Sequence, residues 1–243
     1  MPLFRFNYKK WKHAVPNIFF TITTVLINFS LAFLLLWTSD WVTVNGFGII
    51  NWLPEMPLWL YVVLGVLLLD LIGAYLAHYI EHKTSLLWRV HLVHHSDHKI
   101  DTTTGNRHHP LESIIRFVFT LAGVFVIGTP MGIIMLYQSL SIVFTQFIHA
   151  NIKLPKRVDT IIGYVFISPD IHKVHHHNML PYTDSNYGNI FSIWDRLFGT
   201  FMMLDTEKIV YGVDTFPNES ENSSLKHLLL KQPFYKKRKP TTR

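Results

Sequence analysis

The sequence predicts an all-α integral membrane protein in which about four transmembrane helices support a histidine-rich helical cap. Three observations predict it. Of 243 residues, 49% are hydrophobic and 14% aromatic, with a positive mean hydropathy, a balance that points to a membrane protein. Four stretches are apolar and nearly free of charge. Fifteen histidines fall largely at offsets of three and four, the spacings that gather side chains on one face of a helix.

The chain starts with MPLFRFNYKKWKH, a basic and aromatic stretch that reads as an interfacial anchor. Residues 17–38 then give about twenty nearly uncharged positions, enough to cross a hydrocarbon core of about 30 Å. No small-residue cleavage site follows, so this segment is read as a retained helix rather than a signal peptide. The loop 39–57 carries Asp40 and Glu55 but no Lys or Arg, which places it away from the cytoplasm. A second span, 58–77, flows without a Pro or Gly break into His78 and His82, so that pair should sit on the extension of a transmembrane helix. Asp70 lies inside this span. An acid there is costly unless it faces protein or water, which makes it a candidate for a polar role below the histidines, with helix packing as the alternative.

Segments 114–128 and 131–148 are split by Thr129 and Pro130 alone. Each is short for a full crossing, and a tilted or a re-entrant helical hairpin would equally return the chain to the side it left. The polar tail, 220–243, ends in KKRKPTTR. Lys and Arg counts in the short loops put both termini and both histidine segments in the cytoplasm. A net charge of +6 and a pI near 9.4 could indicate nucleic acid. The basic residues cluster at the two ends, however, where anionic headgroups account for them equally well, and no nucleic-acid partner is expected. Apart from the two histidine triples described next there is no internal repeat, and residues 1–243 are expected to form one membrane domain.

Stretch 77–110, AHYIEHKTSLLWRVHLVHHSDHKIDTTTGNRHHP, is where the chemistry concentrates. It holds His78 and His82, four apart, then the triple His91, His94 and His95. A second H-x-x-H-H triple, His172, His175 and His176, follows about eighty positions on, and the chain has no cysteine. Disulfides and thiolate sites are therefore excluded, and cysteine usage carries no word on redox compartment. Neutral imidazole suits iron, zinc, copper and nickel. Eight or more histidines exceed the three or four protein ligands of one zinc ion, which argues for two metals held by four helices around a shared centre. His149 closes the fourth apolar segment at the depth expected for His78, as a ligand or as a helix C-terminal residue. His98 reads as a residue beside the ligands or facing solvent, and His13, His177 and His227 as surface. Of His108 and His109, one is a candidate ligand or donor to a ligand and the other is expected to be exposed.

The order H-x-x-x-H, H-x-x-H-H, hydrophobic hairpin, H-x-x-H-H resembles the fatty acid hydroxylase and sterol desaturase superfamily of membrane di-iron oxygenases. LLWRVHLVHHSD, RHHPLE, FIHANI and SPDIHKVHHH followed by TDSNYGNIFSIWDRLFGTF are similar to that family's segments, and the resemblance spans roughly residues 69–201. It implies that His78, His82, His91, His94, His95, His172, His175 and His176 bind two irons, with His149 a ninth ligand. His109 matches the family's HP position, implying a ligand or a neighbour of one. Asp184, Asn186 and Asn189 match a polar segment expected to hydrogen-bond ligand imidazoles, as ligating histidines usually require. Tyr79 stands where relatives often carry Arg, which bears on a surface contact and not on a ligand.

The resemblance further implies that two ferrous ions use dioxygen to attack an unactivated lipid C–H bond, with hydroxylation and desaturation both open. Electrons would come from a separate reductase, ferredoxin or cytochrome, since the chain has no haem-binding, flavin-binding or ferredoxin-like segment. Two other classes stay open at this stage. A zinc-dependent membrane hydrolase would use Glu81 or Glu112 as base, and a metal-handling or structural membrane protein would turn nothing over.

Overall fold

A computed structural model describes residues 3–234 of the chain, so the basic stretch 236–243 that contributes to the expected orientation lies outside the described residues. Among the described residues the fold is helical, with two isolated β-bridges, Phe166 to Phe191 and His177 to Tyr211. Four helices are long and apolar enough to cross a membrane. The first, α1, runs Lys10–Val44, longer at both ends than the span read from the sequence. Its middle leaves Phe29 79% and Phe33 61% exposed, a face that none of the described residues covers and that a hydrocarbon solvent suits.

The second, α2, runs Leu58–Lys83. Continuity from apolar span to histidine pair holds, but residues Asp70–Leu76 wind as a π-helix. Such local widening recurs at functional sites because it re-aims the following turn. At its start the buried Asp70 carboxylate accepts hydrogen bonds from the backbone N–H of Ile190 and Phe191, each 3.3 Å, and from Trp194 Nε1 at 3.1 Å. Asp70 thus ties the membrane helix to the segment 184–201 that backs the histidines. Asp70→Ala would leave three donors without an acceptor, and a loss of about 3 kcal/mol is expected, read as a lower melting temperature in detergent; Asp70→Asn should recover part of it.

The hairpin consists of α4, Pro110–Ile127, and α5, Met131–His149. Pro110 opens α4 at its first position, where a missing N–H costs nothing. Gly128 closes it with φ +86°, a backbone conformation that Gly adopts freely. At 1.5 Å per residue the two helices are about 27 and about 28 Å long, close to a hydrocarbon thickness, because α4 begins four residues earlier than the apolar stretch alone suggests. Leu35, Val66, Leu69, Phe117, Val124 and Ile134 interlock between α1, α2, α4 and α5; inside a bilayer this close packing, rather than escape from water, holds helices together.

Shorter helices form the cap: α3, Ser85–His95, α6, Lys156–Gly163, and α7, Pro169–His175. The fully buried Arg107 staples it. Its guanidinium donates to Val93 O at 2.9 Å, Asn17 Oδ1 at 2.9 Å, Ser96 Oγ at 3.2 Å and the Asn222 carbonyl. Asp97 accepts from His13 Nε2 at 2.9 Å and Thr104 Oγ1 at 2.7 Å. The surface reading of three histidines is corrected here. His13 is largely buried against Asp97 and Asp101. His177 accepts from the Val210 N–H, and His227 packs edge-on against Phe216.

Candidate metal centre

Nine imidazoles meet where α2, α3, α5 and α7 converge. They form two adjoining groups, His78, His82, His91, His95 and His175 in one and His94, His149, His172 and His176 in the other, all buried. Helical spacing does the gathering: His78 and His82 share a face of α2, His91 and His95 a face of α3, and His172 and His176 close α7. His94, one residue off the His91–His95 face, turns to the second group, so α3 serves both. Ser168 begins α7 by accepting from the Ile171 N–H, as a Ser at that position commonly does.

The ring nitrogens face one another in a way hydrogen bonding alone does not explain. His78 Nδ1 meets the Tyr187 carbonyl at 2.8 Å and His149 Nδ1 the Thr145 carbonyl at 2.8 Å. A carbonyl can only accept, so both Nδ1 atoms carry hydrogen and both Nε2 atoms are bare in the neutral ring. Yet His78 Nε2 stands 3.0 Å from His91 Nε2, whose own Nδ1 donates to Glu112 Oε1 at 2.8 Å. His149 Nε2 stands 3.1–3.2 Å from the Nε2 atoms of His94, His172 and His176. His82 Nε2 and His175 Nε2 are buried with no hydrogen-bond partner among the described residues. Lone pairs so crowded repel unless a cation lies among them. Nitrogens bound about 2.1 Å from a single ion stand about 3.0–3.4 Å apart, the separations seen here, so the donors fit metal ions.

Burial keeps these rings neutral and able to ligate. It pushes His94, His95, His172, His175 and His176 well below the ordinary histidine value, helped by neighbouring imidazoles, and takes His91 to about 3. Since the folded values lie below the unfolded value of about 6.5, this neutrality contributes stability that is complete above about pH 6.5 and is lost as pH falls towards about 3. Metal-stripped protein is therefore expected to melt at lower temperature at about pH 5 than at about pH 7.5; an unchanged melting temperature would contradict it.

Outer partners fix the rings. Asp184 Oδ1 accepts from His82 Nδ1 at 3.2 Å, while Lys83 Nζ binds Oδ2 at 2.9 Å. Burial raises the Asp184 carboxyl, but these two bonds outweigh it and hold it at about 2. The Ser185 carbonyl accepts from His175 Nδ1 at 2.6 Å. Glu112 gathers His91, His108 Nδ1 at 2.7 Å and Arg116 Nε at 3.0 Å, and Arg116 also binds Glu81 at 2.7 Å. Glu81 and Glu112, the candidate bases of a hydrolase, each turn one oxygen to Arg116, while Glu81 Oε1 and Glu112 Oε2 have no hydrogen-bond partner among the described residues.

Several expectations need correcting. His98 lies outside both groups and pairs with Asn222 Nδ2 at 2.9 Å, because α3 ends at His95 and the three-residue offset no longer describes a shared face. His109 is no ligand neighbour: its Nδ1 accepts from the Leu111 N–H as an N-cap, and its Nε2 faces the Leu229 carbonyl. His108 is the one at the centre, stacked 4.9 Å from His94. Asn186 and Asn189 hold backbone and α5 instead of imidazoles, Asn186 through Ile171 O and Met202 O and Asn189 through Ser141 Oγ. Arg116 was missed by the sequence reading, although Glu112 and Arg116 at i, i+4 are a helical pair. Tyr79 packs on Tyr187 with Lys83 over its ring.

A cleft of about 170 Å³ runs between the membrane helices to His78, His94, His149 and His172. On the other side Trp88 lies 4.7 Å from His82 and 5.2 Å from His95, ring centre to ring centre. A sequence model for the fatty acid hydroxylase family matches residues 62–200, more than half of the chain. The chain belongs to this family. It is 27% identical over 150 residues to the ornithine lipid hydroxylase OlsE of Rhizobium tropici, 62% of this chain and 44% of that protein. It is 31% identical over 129 residues to the alkylglycerol monooxygenase of Caenorhabditis elegans, covering 52% and 24%. With methylsterol monooxygenase 1 of Gallus gallus it shares 26% identity over 161 residues, covering 65% and 51%. The chain thus spans from about a quarter to about half the length of these relatives. No solved structure matches it.

Proposed function

We propose that this fatty acid hydroxylase family member is a membrane oxygenase that inserts oxygen into a lipid C–H bond, using dioxygen and electrons from a separate protein. The observation that carries the reading is the convergence of nine Nε2 atoms, several with their tautomer fixed, at the inner end of a cleft cut between membrane helices. His78, His82, His91, His95 and His175 would hold one iron and His94, His149, His172 and His176 the second. Five imidazoles exceed the four donors that zinc takes in its closed sites, which favours a metal of higher coordination number, and neutral donors suit ferrous iron. Iron bound there would supply the activation of dioxygen. Relatives whose names specify hydroxylation or monooxygenation of ornithine lipids, alkylglycerols and methylsterols support hydroxylation over desaturation.

The protein's residues would do the rest. Thr145, Ser185 and Tyr187 carbonyls and the Glu112 and Asp184 carboxylates orient the rings, the cleft admits a chain from the bilayer, and burial excludes water from the reacting carbon. The Lys and Arg distribution supports a cytoplasmic site with both termini on that side, where a soluble ferredoxin, reductase or cytochrome can reach it. The test is metal analysis of anaerobically purified protein together with mass spectrometry of host lipids with and without the gene. About two irons per chain and a lipid gaining one oxygen atom are expected. Zinc at one per chain, or an unchanged lipid profile, would overturn the reading.

A further inference from the structure

The cleft is polar for one cut into membrane-spanning helices, and most of its polar groups are satisfied. Thr24 and Ser113 share a hydrogen bond of 2.8 Å, Thr120 donates to the Arg116 carbonyl, and Thr145 donates to Asn189. Three carboxamides are different. Asn28 on α1, Gln138 on α5 and Asn106 at the cap end line this cleft, and among the described residues none of their side chains has a hydrogen-bond partner. Only Asn28 and Gln138 lie on membrane-spanning helices. Both are deep: Asn28 lies near the middle of Lys10–Val44, and Gln138 precedes His149 by eleven residues, about 16 Å of helix. An amide facing hydrocarbon alone is strongly unfavourable. In membrane helices such groups mark the path of a ligand.

Resting on the oxygenase reading above, we propose that Asn28 and Gln138 are specificity-determining residues that hydrogen-bond an oxygen- or nitrogen-bearing group of the lipid, carried far along the chain from the carbon that faces the histidines. A carboxamide both donates and accepts, so a hydroxyl, carbonyl or amide on the substrate would satisfy it. The separation of Gln138 from His149 sets the distance between that group and the reacting carbon. A plain saturated tail would leave both amides unpaired, which is how a site built to bond a polar group rejects an analogue lacking it. Asn28 is exposed and Ile142 on the same wall is 59% exposed, so the cleft opens sideways between α1 and α5 and the lipid enters from the bilayer.

The test uses the full chain in phosphatidylcholine nanodiscs, without reductant, and competes dodecane and dodecanol against a fluorescent fatty alcohol. The two probes share a twelve-carbon chain, with a hydroxyl at neither end or at one. The wild type is expected to prefer the alcohol by about tenfold after correction for empty nanodiscs. Gln138→Leu and Asn28→Leu, which place a membrane-compatible side chain of similar size, should each lose most of that preference while dodecane binding and metal content stay unchanged. Gln138→Asn, which keeps an amide, should retain part of it. No preference in the wild type, or full preference in both leucine variants, overturns the proposal. Because binding is read without turnover, a preference that depends on Gln138 in a protein that oxygenates no host lipid would sink the oxygenase reading and leave the recognition standing.

Discussion

His149→Ala is expected to remove one of two metals from the chain and to cut lipid oxygenation by more than about a hundredfold. His149 is the hub of the four-histidine group, since its Nε2 faces His94, His172 and His176 within 3.2 Å. Residues that merely orient a ligand already cost 10–100-fold in metal affinity or activity when changed, so losing the shared donor should exceed that. The five-histidine group uses other rings and should keep its ion. Metal content per chain, measured beside turnover, checks this; a variant with full metal content and full activity would show that His149 only ends its helix.

Glu112→Ala should be nearly as severe, through a different route. The buried Glu112 carboxylate holds His91, His108 and Arg116 at 2.7–3.0 Å. Removing it leaves the Arg116 charge to Glu81 alone and frees the His91 ring to turn. Breaking a buried charge network by deleting one partner costs about 3–5 kcal/mol, and the loosened ring should weaken metal binding by about 10–100-fold. Glu112→Gln keeps the size and one acceptor, so it should restore much of the folding but not the charge opposite Arg116. A lower melting temperature with unchanged metal affinity would mean that Glu112 braces the helices and does not orient His91.

Spacing made much of this legible. Offsets of three and four within continuous helices gather His78 with His82 and His91 with His95, and the depth of the fourth apolar segment brings His149 level with them. Where a helix stops, the rule stops. His98 falls beyond the end of α3, and His109 sits at the N-cap of α4 with Pro110 behind it, which hands the central position to His108 through its i, i+4 contact with Glu112. Contacts between distant segments were hidden for a different reason. Asp70 reaches across 120 residues to Ile190, and the carbonyls of Ser185 and Tyr187 that orient His175 and His78 are backbone groups that any sequence carries. Nor does composition mark the π-helical turn at Asp70–Leu76, since its weakest helix former, Gly73, has a counterpart in Gly65, which sits in regular α-helix earlier in the same span.

Iron-edge X-ray absorption on protein loaded anaerobically with ferrous iron tests the central claim most directly. The account predicts two irons per chain with a first shell dominated by four to five imidazole nitrogens at about 2.1 Å and the multiple-scattering signature of histidine rings. A first shell dominated by oxygen, or a single iron that leaves the signal of half the histidines unaccounted for, would contradict it.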